Sequence, residues 1–259
     1  MARVIVVIPA RMGSTRFPGK PLAPLLGRPM IEHVYHRSAA CRDVEEVIVA
    51  TCDEEIRLAV EGFGGRVVMT SPAHERASDR VAEAAVHEQA DIVVMVQGDE
   101  PMVRPEMISD AVAPMLAEPG LACVNLAAPI RTREELVDHN TIKVVTARNG
   151  DALFFSREPI PTIGSGTFED GQWFKQICVM PFRREALERF AALPPTRLEV
   201  AESIDMLRFL EHGVPVRMVP TGVDTHSVDT PADLALVEDL MRDDPLLAAY
   251  PAAAERSSS

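Results

Sequence analysis

The sequence predicts an α/β fold: a mostly parallel sheet covered on both faces by helices, with an inserted antiparallel region in its middle third. Three observations predict it. Strand-length apolar runs such as Val4–Ile8 and Asp91–Val96 (DIVVMV) alternate with helix-length amphipathic stretches. Apart from the leading Asp91, those runs are apolar at every position, as in parallel strands buried on both sides. After Ala128 the alternation gives way to short β runs around Asn149-Gly150, a hairpin turn signal.

In chain order, Val4–Ile8 is the first strand, and Arg28–Arg42 carries apolar residues at helical spacing (Met30, Ile31, Val34, Tyr35). His33 and His36 lie three apart on that helix, and packing is the expected role for both. Glu46–Thr51, Arg66–Thr70 and Asp91–Val96 are further strands, separated by a helix over Asp53–Phe63 and by Ala73–Gln89, which opens with a polar turn and becomes a helix. A helix over Pro105–Ala117 and a strand over Leu121–Ala128 complete the first core segment, residues 1–128. The inserted β-rich region, 129–182, holds Ile142–Thr146, Ala152–Phe155, a Pro/Gly-rich stretch from Ser156 to Gly171, and a strand over Trp173–Met180. It is expected to form a lid or a subunit contact. The chain returns to the core over 183–243, with helices at Arg183–Ala192, Glu199–Glu211 and Pro231–Met241 and a strand at Pro215–Val219. The last helix is capped by Asp229 or Thr230. Residues 244–259 are rich in small residues and are expected to be poorly ordered.

Composition narrows the function. The net charge of −13 over 259 residues excludes broad nucleic-acid binding, which needs a basic face. No apolar run approaches the ~20 residues of a membrane span, and the chain opens directly on a strand, so a cytoplasmic protein without membrane insertion is expected. Cys41, Cys52, Cys123 and Cys178 form no C-x-x-C pair and read as reduced thiols.

The chemistry starts in the loop after the first strand. Pro9 ends the strand, and Gly13, Ser14, Thr15 and Gly19 follow, interleaved with Arg11, Arg16 and Lys20. Backbone N–H groups converging beside full positive charges favour a phosphate. Asp99 follows the apolar strand Asp91–Val96 and stands at its carboxyl end, where ligands gather in parallel sheets. Asp229 lies between a β stretch and a helix start. Two carboxylates at one crevice beside phosphates suit Mg²⁺, although Asp229 taken alone is better explained as a helix cap, since Asp-Thr-Pro is a good helix N-terminus. Glu202 and Asp205 read as residues of a solvated helix face.

Several stretches in fixed order then resemble the CMP-Kdo synthetases, the cytidylyltransferases that activate 3-deoxy-manno-octulosonic acid (Kdo). They are Pro9-Ala10-Arg11-x-x-Ser14-Thr15-Arg16-x-Pro18-Gly19-Lys20-Pro21-Leu22, Pro29-Met30-Ile31-x-His33-Val34, Val49-Ala50-Thr51 and Val96-Gln97-Gly98-Asp99-Glu100-Pro101. Lys143-Val144-Val145, Ala152-Leu153-Phe154-Phe155-Ser156-Arg157 and Val228-Asp229-Thr230-Pro231-x-Asp233-Leu234 follow. The resemblance spans Val4 to Met241. It implies a Rossmann-like nucleotidyltransferase sheet and a homodimer. It places Pro9, Ala10, Arg11, Ser14, Thr15, Lys20, Ser78, Arg80 and Gln97 on CTP, with Arg11 and Lys20 on the phosphates. Asp99 and Asp229 would hold Mg²⁺, and Arg157 would face the carboxylate of the sugar acid. Arg11, Lys20, Asp99 and Asp229 are the implied catalytic set.

The departures from the family pattern concentrate on the acceptor side. The family's His-x-x-Gly-Thr-x-Arg reads His74-Glu75-Arg76-Ala77-Ser78-Asp79-Arg80, and its His-Ile-Gly-Ile-Tyr reads Gln176-Ile177-Cys178-Val179-Met180. Its Leu-Glu-Gln-Leu-Arg reads Ile204-Asp205-Met206-Leu207-Arg208. Gln176, Met180 and Asp205, with Arg157, are therefore the acceptor-side candidates, and the acceptor stays open between Kdo and another acid, such as 8-amino-Kdo, a sialic-type sugar or a phosphonate. A nucleotide-binding protein without catalysis is the alternative of another class; the retained Asp99 and Asp229 count against it.

Overall fold

The structure, a computed structural model, describes residues 2–13, 16–163, 168, 173–223 and 225–251. Its elements are β1 (Val4–Ala10), a small hairpin β2 (Pro24–Leu25) and β3 (Arg28–Pro29), α1 (Met30–Ala39), β4 (Glu46–Thr51), α2 (Glu54–Gly62), β5 (Arg66–Met69) and α3 (Ala77–Ala85). Next come β6 (Ile92–Val96), α4 (Pro105–Ala117), β7 (Cys123–Pro129), α5 (Arg133–Val137), β8 (Lys143–Thr146), β9 (Ala152–Ser156), β10 (Phe174–Ile177) and β11 (Val179–Arg183). The chain closes with α6 (Arg184–Ala192), α7 (Arg197–Glu202), α8 (Met206–Glu211), β12 (Val216–Pro220) and α9 (Pro231–Met241).

Among the described residues one sheet runs β5-β4-β1-β6-β11-β7-β10-β8-β9, with β12 also on β7. The β5, β4, β1 and β6 half is parallel; Val6 of β1 faces Val47 on one side and Val94 on the other. Side-chain alternation then builds two cores. Val4, Val6 and Ile8 pack with Ile31, Ile56 and Ile108 on one face of the sheet. Ile5 and Val7 share the other face with Val81, Leu187 and Phe209. Strands buried on both faces need helices on both, which is the arrangement found.

The segment expected as one strand over Trp173–Met180 is two strands broken at Cys178. β10 pairs antiparallel with β7 and β8, and β11 then slides between β6 and β7, antiparallel to both. β11 thus lies inside the core sheet, and the middle-third strands β8–β10 extend that same sheet. β8 and β9 form the expected hairpin around Asn149-Gly150. Buried Lys143 at its start caps backbone carbonyls of Asp138 (2.9 Å) and Thr141 (2.7 Å), and that of Arg157 as well. The Pro/Gly-rich stretch from Ser156 to Gly171 lies partly outside the described residues.

Two further expectations are corrected. Glu199–Glu211 is not one helix: Ser203 takes a left-handed backbone (φ 54) that ends α7 before α8 begins. A non-glycine residue there costs about 1–2 kcal/mol, and two arginines described below hold it. Residues 244–251 of the tail are docked rather than loose. Asp244 pairs with Arg37 at 2.8 Å, and the Tyr250 hydroxyl accepts from Arg37 Nε at 2.9 Å. Among the described residues no helix is long and apolar enough to cross a membrane.

The docked tail gives His33 its environment. The buried imidazole donates Nε2–H to the Leu25 carbonyl at 2.8 Å, and its Nδ1 faces the Tyr250 hydroxyl at 3.4 Å. Burial above all pushes its pKa down to about 4. The unfolded chain protonates this histidine near pH ~6.5, so between ~6.5 and ~4 the unfolded state binds more protons. Stability is therefore expected to fall as pH drops through that window. Thermal unfolding measured against pH checks this, and His33→Gln should flatten the profile; an unchanged slope in the variant would refute it.

Candidate active site

The site forms where the parallel strands end. The loop after β1, the turn after β6 and the segment after β12 meet there, locked by the Val228 N–H donating to the Asp99 carbonyl at 2.9 Å. Gly98 allows this approach: a Cβ on it would lie 3.0 Å from the Pro9 carbonyl oxygen. The loop after β1 is tied to β4's end by Met12 N–H donating to Asp53 Oδ2 at 2.8 Å. Thr230 is the N-cap of α9, in a capping box with Asp233, which leaves the Asp229 carboxylate free to face the cleft.

Asp99 and Asp229 converge on one cation. Lys20 Nζ donates to Asp99 Oδ2 at 2.9 Å, to the Val228 carbonyl at 2.8 Å and to Asp229 Oδ1 at 3.4 Å. Burial disfavours this ammonium, but Asp99 and then Asp229 more than offset it, and its pKa lies above the usual lysine value. Arg16 Nη2 reaches Asp229 Oδ1 at 3.0 Å, and Arg16 Nη1 bonds Asn140 of the middle third. Arg11 and Arg16 are both exposed, but of the loop's three cations only Arg11 makes no ion pair among the described residues. It is the charge most available to an incoming anion. Ser14 and Thr15, expected in the same cradle, lie outside the described residues.

Two cavities of about 330 Å³ each share this centre. The first is walled by Pro9, Ala10, Arg11, Lys20, Arg80 and Gln97. The second reaches toward β10, β11 and α8 and holds Arg157, Gln176, Met180 and Asp205. Gln176, Cys178 and Met180 are spaced by two along the kinked strand and so share a face. Asp99, Asp229, Arg11 and Gln97 border both cavities.

The family described as Cytidylyltransferase matches residues 5–218. A 3-deoxy-manno-octulosonate cytidylyltransferase of Geobacter metallireducens is 45% identical over 250 residues, covering 93% of this chain and 98% of that protein. The chain belongs to this cytidylyltransferase family. A relative from Myxococcus xanthus with the same name is 46% identical over 241 residues, 93% of this chain and 97% of that one. The solved structure of a CMP:2-keto-3-deoxy-manno-octonic acid synthetase complexed with CTP superposes with a TM-score of 0.86 at 39% identity, covering 93% and 99% of the two chains.

Within this cytidylyltransferase the residues assigned from sequence separate into three groups. Pro9, Ala10, Arg11, Lys20, Arg80, Gln97, Asp99 and Asp229 are brought to one cleft. Ser78 is not: it is fully buried, and its Oγ (2.7 Å) and N–H (3.2 Å) both donate to Asp205 Oδ2. The carboxylate shortened by one methylene thus bonds the residue that replaces the family's threonine. Gln176 and Met180 are likewise partners, with Nε2 3.5 Å from Sδ, and Gln176 also bonds Asn125. Four of the departures thus form two touching pairs. Asp205's pKa is raised, by burial first, against the opposing Ser78 bonds.

Arg157 borders the acceptor cavity, but its donors are committed. Nε, Nη1 and Nη2 donate to the carbonyls of Glu202 (2.7 Å), His139 (2.8 Å) and Ser203 (3.2 Å). Glu202, read as a surface residue, accepts from Ser156 Oγ at 3.0 Å and Arg157 N–H at 2.9 Å. Arg76 and Asn140 were missed. Arg76 sits in the polar turn that was expected before α3, and its signal was a guanidinium placed just beyond a strand's carboxyl end. Its Nη1 donates to Ser203 Oγ at 2.8 Å. Asn140 had no signal, since only the fold brings it to Arg16.

Proposed function

We propose that the protein transfers the CMP group of CTP to the anomeric hydroxyl of Kdo and releases pyrophosphate. The observation that carries this is the convergence of Asp99, Asp229, Lys20 and Arg11 at one cleft, in a chain whose full-length relatives bear the Kdo cytidylyltransferase name. The hydroxyl oxygen bonds the α-phosphorus, the bond from that phosphorus to the bridging oxygen of the β-phosphate breaks, and the hydroxyl proton passes to solvent. Arg11 binds phosphate oxygens and offsets charge on the leaving pyrophosphate. Gln97 and the Pro9–Ala10 backbone orient the nucleotide, and the Asp205–Ser78 and Gln176–Met180 pairs shape the acceptor wall.

Mg²⁺ fits the residues present. An ammonium already bridges the two carboxylates, so the pair is arranged around a cation, and the donor set is hard oxygen. Asp99 and Asp229 would hold the ion, with phosphate oxygens and water completing its shell. Bound there, it would supply charge stabilisation at the reacting phosphate.

Pyrophosphate release from CTP, measured over Kdo, 8-amino-Kdo, a sialic-type acid and a phosphonate, tests the reaction. Kdo is expected to give the highest kcat/KM. Turnover with another acid and none with Kdo would replace the acceptor; no turnover with any would refute the reaction.

A further inference from the structure

Residues 244–251 lie beyond Met241, where the family resemblance ends, and the reaction above gives them no role. They nonetheless hold the arginine of α1. Arg37 is fully buried, and a buried guanidinium without a counter-charge is strongly unfavourable. Its partners among the described residues are both in the tail: Asp244 Oδ2 accepts from Nη2 at 2.8 Å, and the Tyr250 hydroxyl accepts from Nε at 2.9 Å. The Tyr250 ring packs 5.5 Å from that of His33 and 5.2 Å from that of His36, with the Arg28 guanidinium 5.5 Å from its centre. Arg28 Nη2 also donates to the Pro251 carbonyl at 2.9 Å. The tail thus clasps α1 and the strand before it.

This clasp reaches the cleft by two routes. His33 Nε2 bonds the Leu25 carbonyl at 2.8 Å, and Met30 N–H donates to the Ala23 carbonyl at 2.9 Å, directly after the turn that holds Lys20. Behind the cleft, Leu25, Met30, Val228 and Met241 also form a small apolar core, against which Phe17 of the loop and Leu247 of the tail pack. Phe17 follows Arg16, Val228 precedes Asp229, and Lys20 Nζ donates to the Val228 carbonyl at 2.8 Å. We propose that residues 244–251 are a positioning strap for the nucleotide wall, holding the Arg16–Lys20 segment and the backbone at Asp229 in register. The inference rests on the reading of that wall as the CTP site, and not on the identity of the acceptor. Arg157, Gln176 and Met180 stand outside this small core, so the strap governs the nucleotide and leaves the acceptor side alone.

The full-length protein is compared with chains ending at Pro251 and at Asp243 and with Leu247→Ala. Calorimetric titration with CTP, KM for the preferred acid of the panel and hydrogen exchange of the β2–β3 hairpin are the readouts. The chain ending at Asp243 is expected to bind CTP roughly 10-fold more weakly, with KM for the acid within about twofold and faster exchange in the hairpin. Leu247→Ala should show the same pattern in smaller measure, and the chain ending at Pro251 should match the full-length protein. The split between the two substrates is what a merely structural role would not produce. Lost stability lowers the active fraction, and with it kcat, but leaves the KM of each substrate where it was. Equal weakening toward CTP and the acid therefore overturns the inference, as does unchanged hairpin exchange. If the chain ending at Asp243 shows no thermal unfolding transition, Leu247→Ala decides by the same comparison. Full-length protein that binds no CTP refutes the nucleotide reading and this inference together, whereas CTP bound equally well by full-length protein and variants refutes the inference alone.

Discussion

Asp99→Asn is expected to lower turnover by about 100-fold or more while leaving the fold intact. Asp99 lies in the turn three residues beyond β6, whose five residues are all buried, and the Val228 N–H holds its backbone carbonyl at 2.9 Å, so its position does not depend on the carboxylate. Asparagine keeps the shape and one oxygen but removes the charge that faces Lys20 at 2.9 Å. The lost charge matters twice. A hard divalent cation is held by anionic oxygens far better than by an amide, and Lys20 would then be balanced by Asp229 alone. Because Asp99 is partly exposed, the thermal midpoint should move little. The checks are kcat under saturating CTP and acid, and Mn²⁺ binding followed by electron paramagnetic resonance with no acceptor present. Near-wild-type turnover would take Asp99 out of the centre. Lost turnover with unchanged metal affinity would leave it in the centre and deny it the ligand role.

Lys20→Ala is expected to lower kcat/KM for CTP by about 100-fold and, at the same time, to tighten divalent-cation binding in the absence of nucleotide. The two effects have one origin. Without nucleotide the ammonium bridges Asp99 and Asp229, occupying the place a metal would take. With nucleotide and metal bound, the same charge would be free to turn to the triphosphate, and Asp99 and Asp229 would hold the metal. Removing Lys20 leaves two carboxylates facing one cleft with Arg16 as their remaining paired cation, and that arrangement attracts a divalent ion more strongly. Kinetics with CTP varied and a metal titration of the apoprotein read the two halves separately. Unchanged kcat/KM sinks the phosphate role; unchanged or weaker metal binding sinks the exchange of cations.

Much of the site was legible because parallel strands carry their own signal. Val4–Ile8 and Ile92–Val96 are apolar throughout, so the residues soon after them had to stand at strand ends, and Arg11, Gln97 and Asp99 do. Asp229 remained ambiguous between cap and ligand because both uses share one local pattern. Capping is decided by which side chain reaches the first turn of α9, and Thr230 does. Ser78 was misplaced for a related reason. It was put on CTP by its place in the family motif alone, and the fold gives it a partner 127 residues away, Asp205, that occupies its hydroxyl.

The sequence by itself determined the alternation of buried strands and helices, the cationic loop after β1, Asp99 beyond the end of β6 and the family. Those features are written in local periodicity, turn chemistry and short ordered motifs. Tertiary structure alone decided the insertion of β11 between β6 and β7, the break at Ser203, the docking of residues 244–251 and the commitments of Lys20, Arg76 and Arg157. Each of these depends on a partner far along the chain. A charged side chain's role is set by whichever oxygen lies within about 3 Å of it, and no local pattern in the sequence specifies that oxygen.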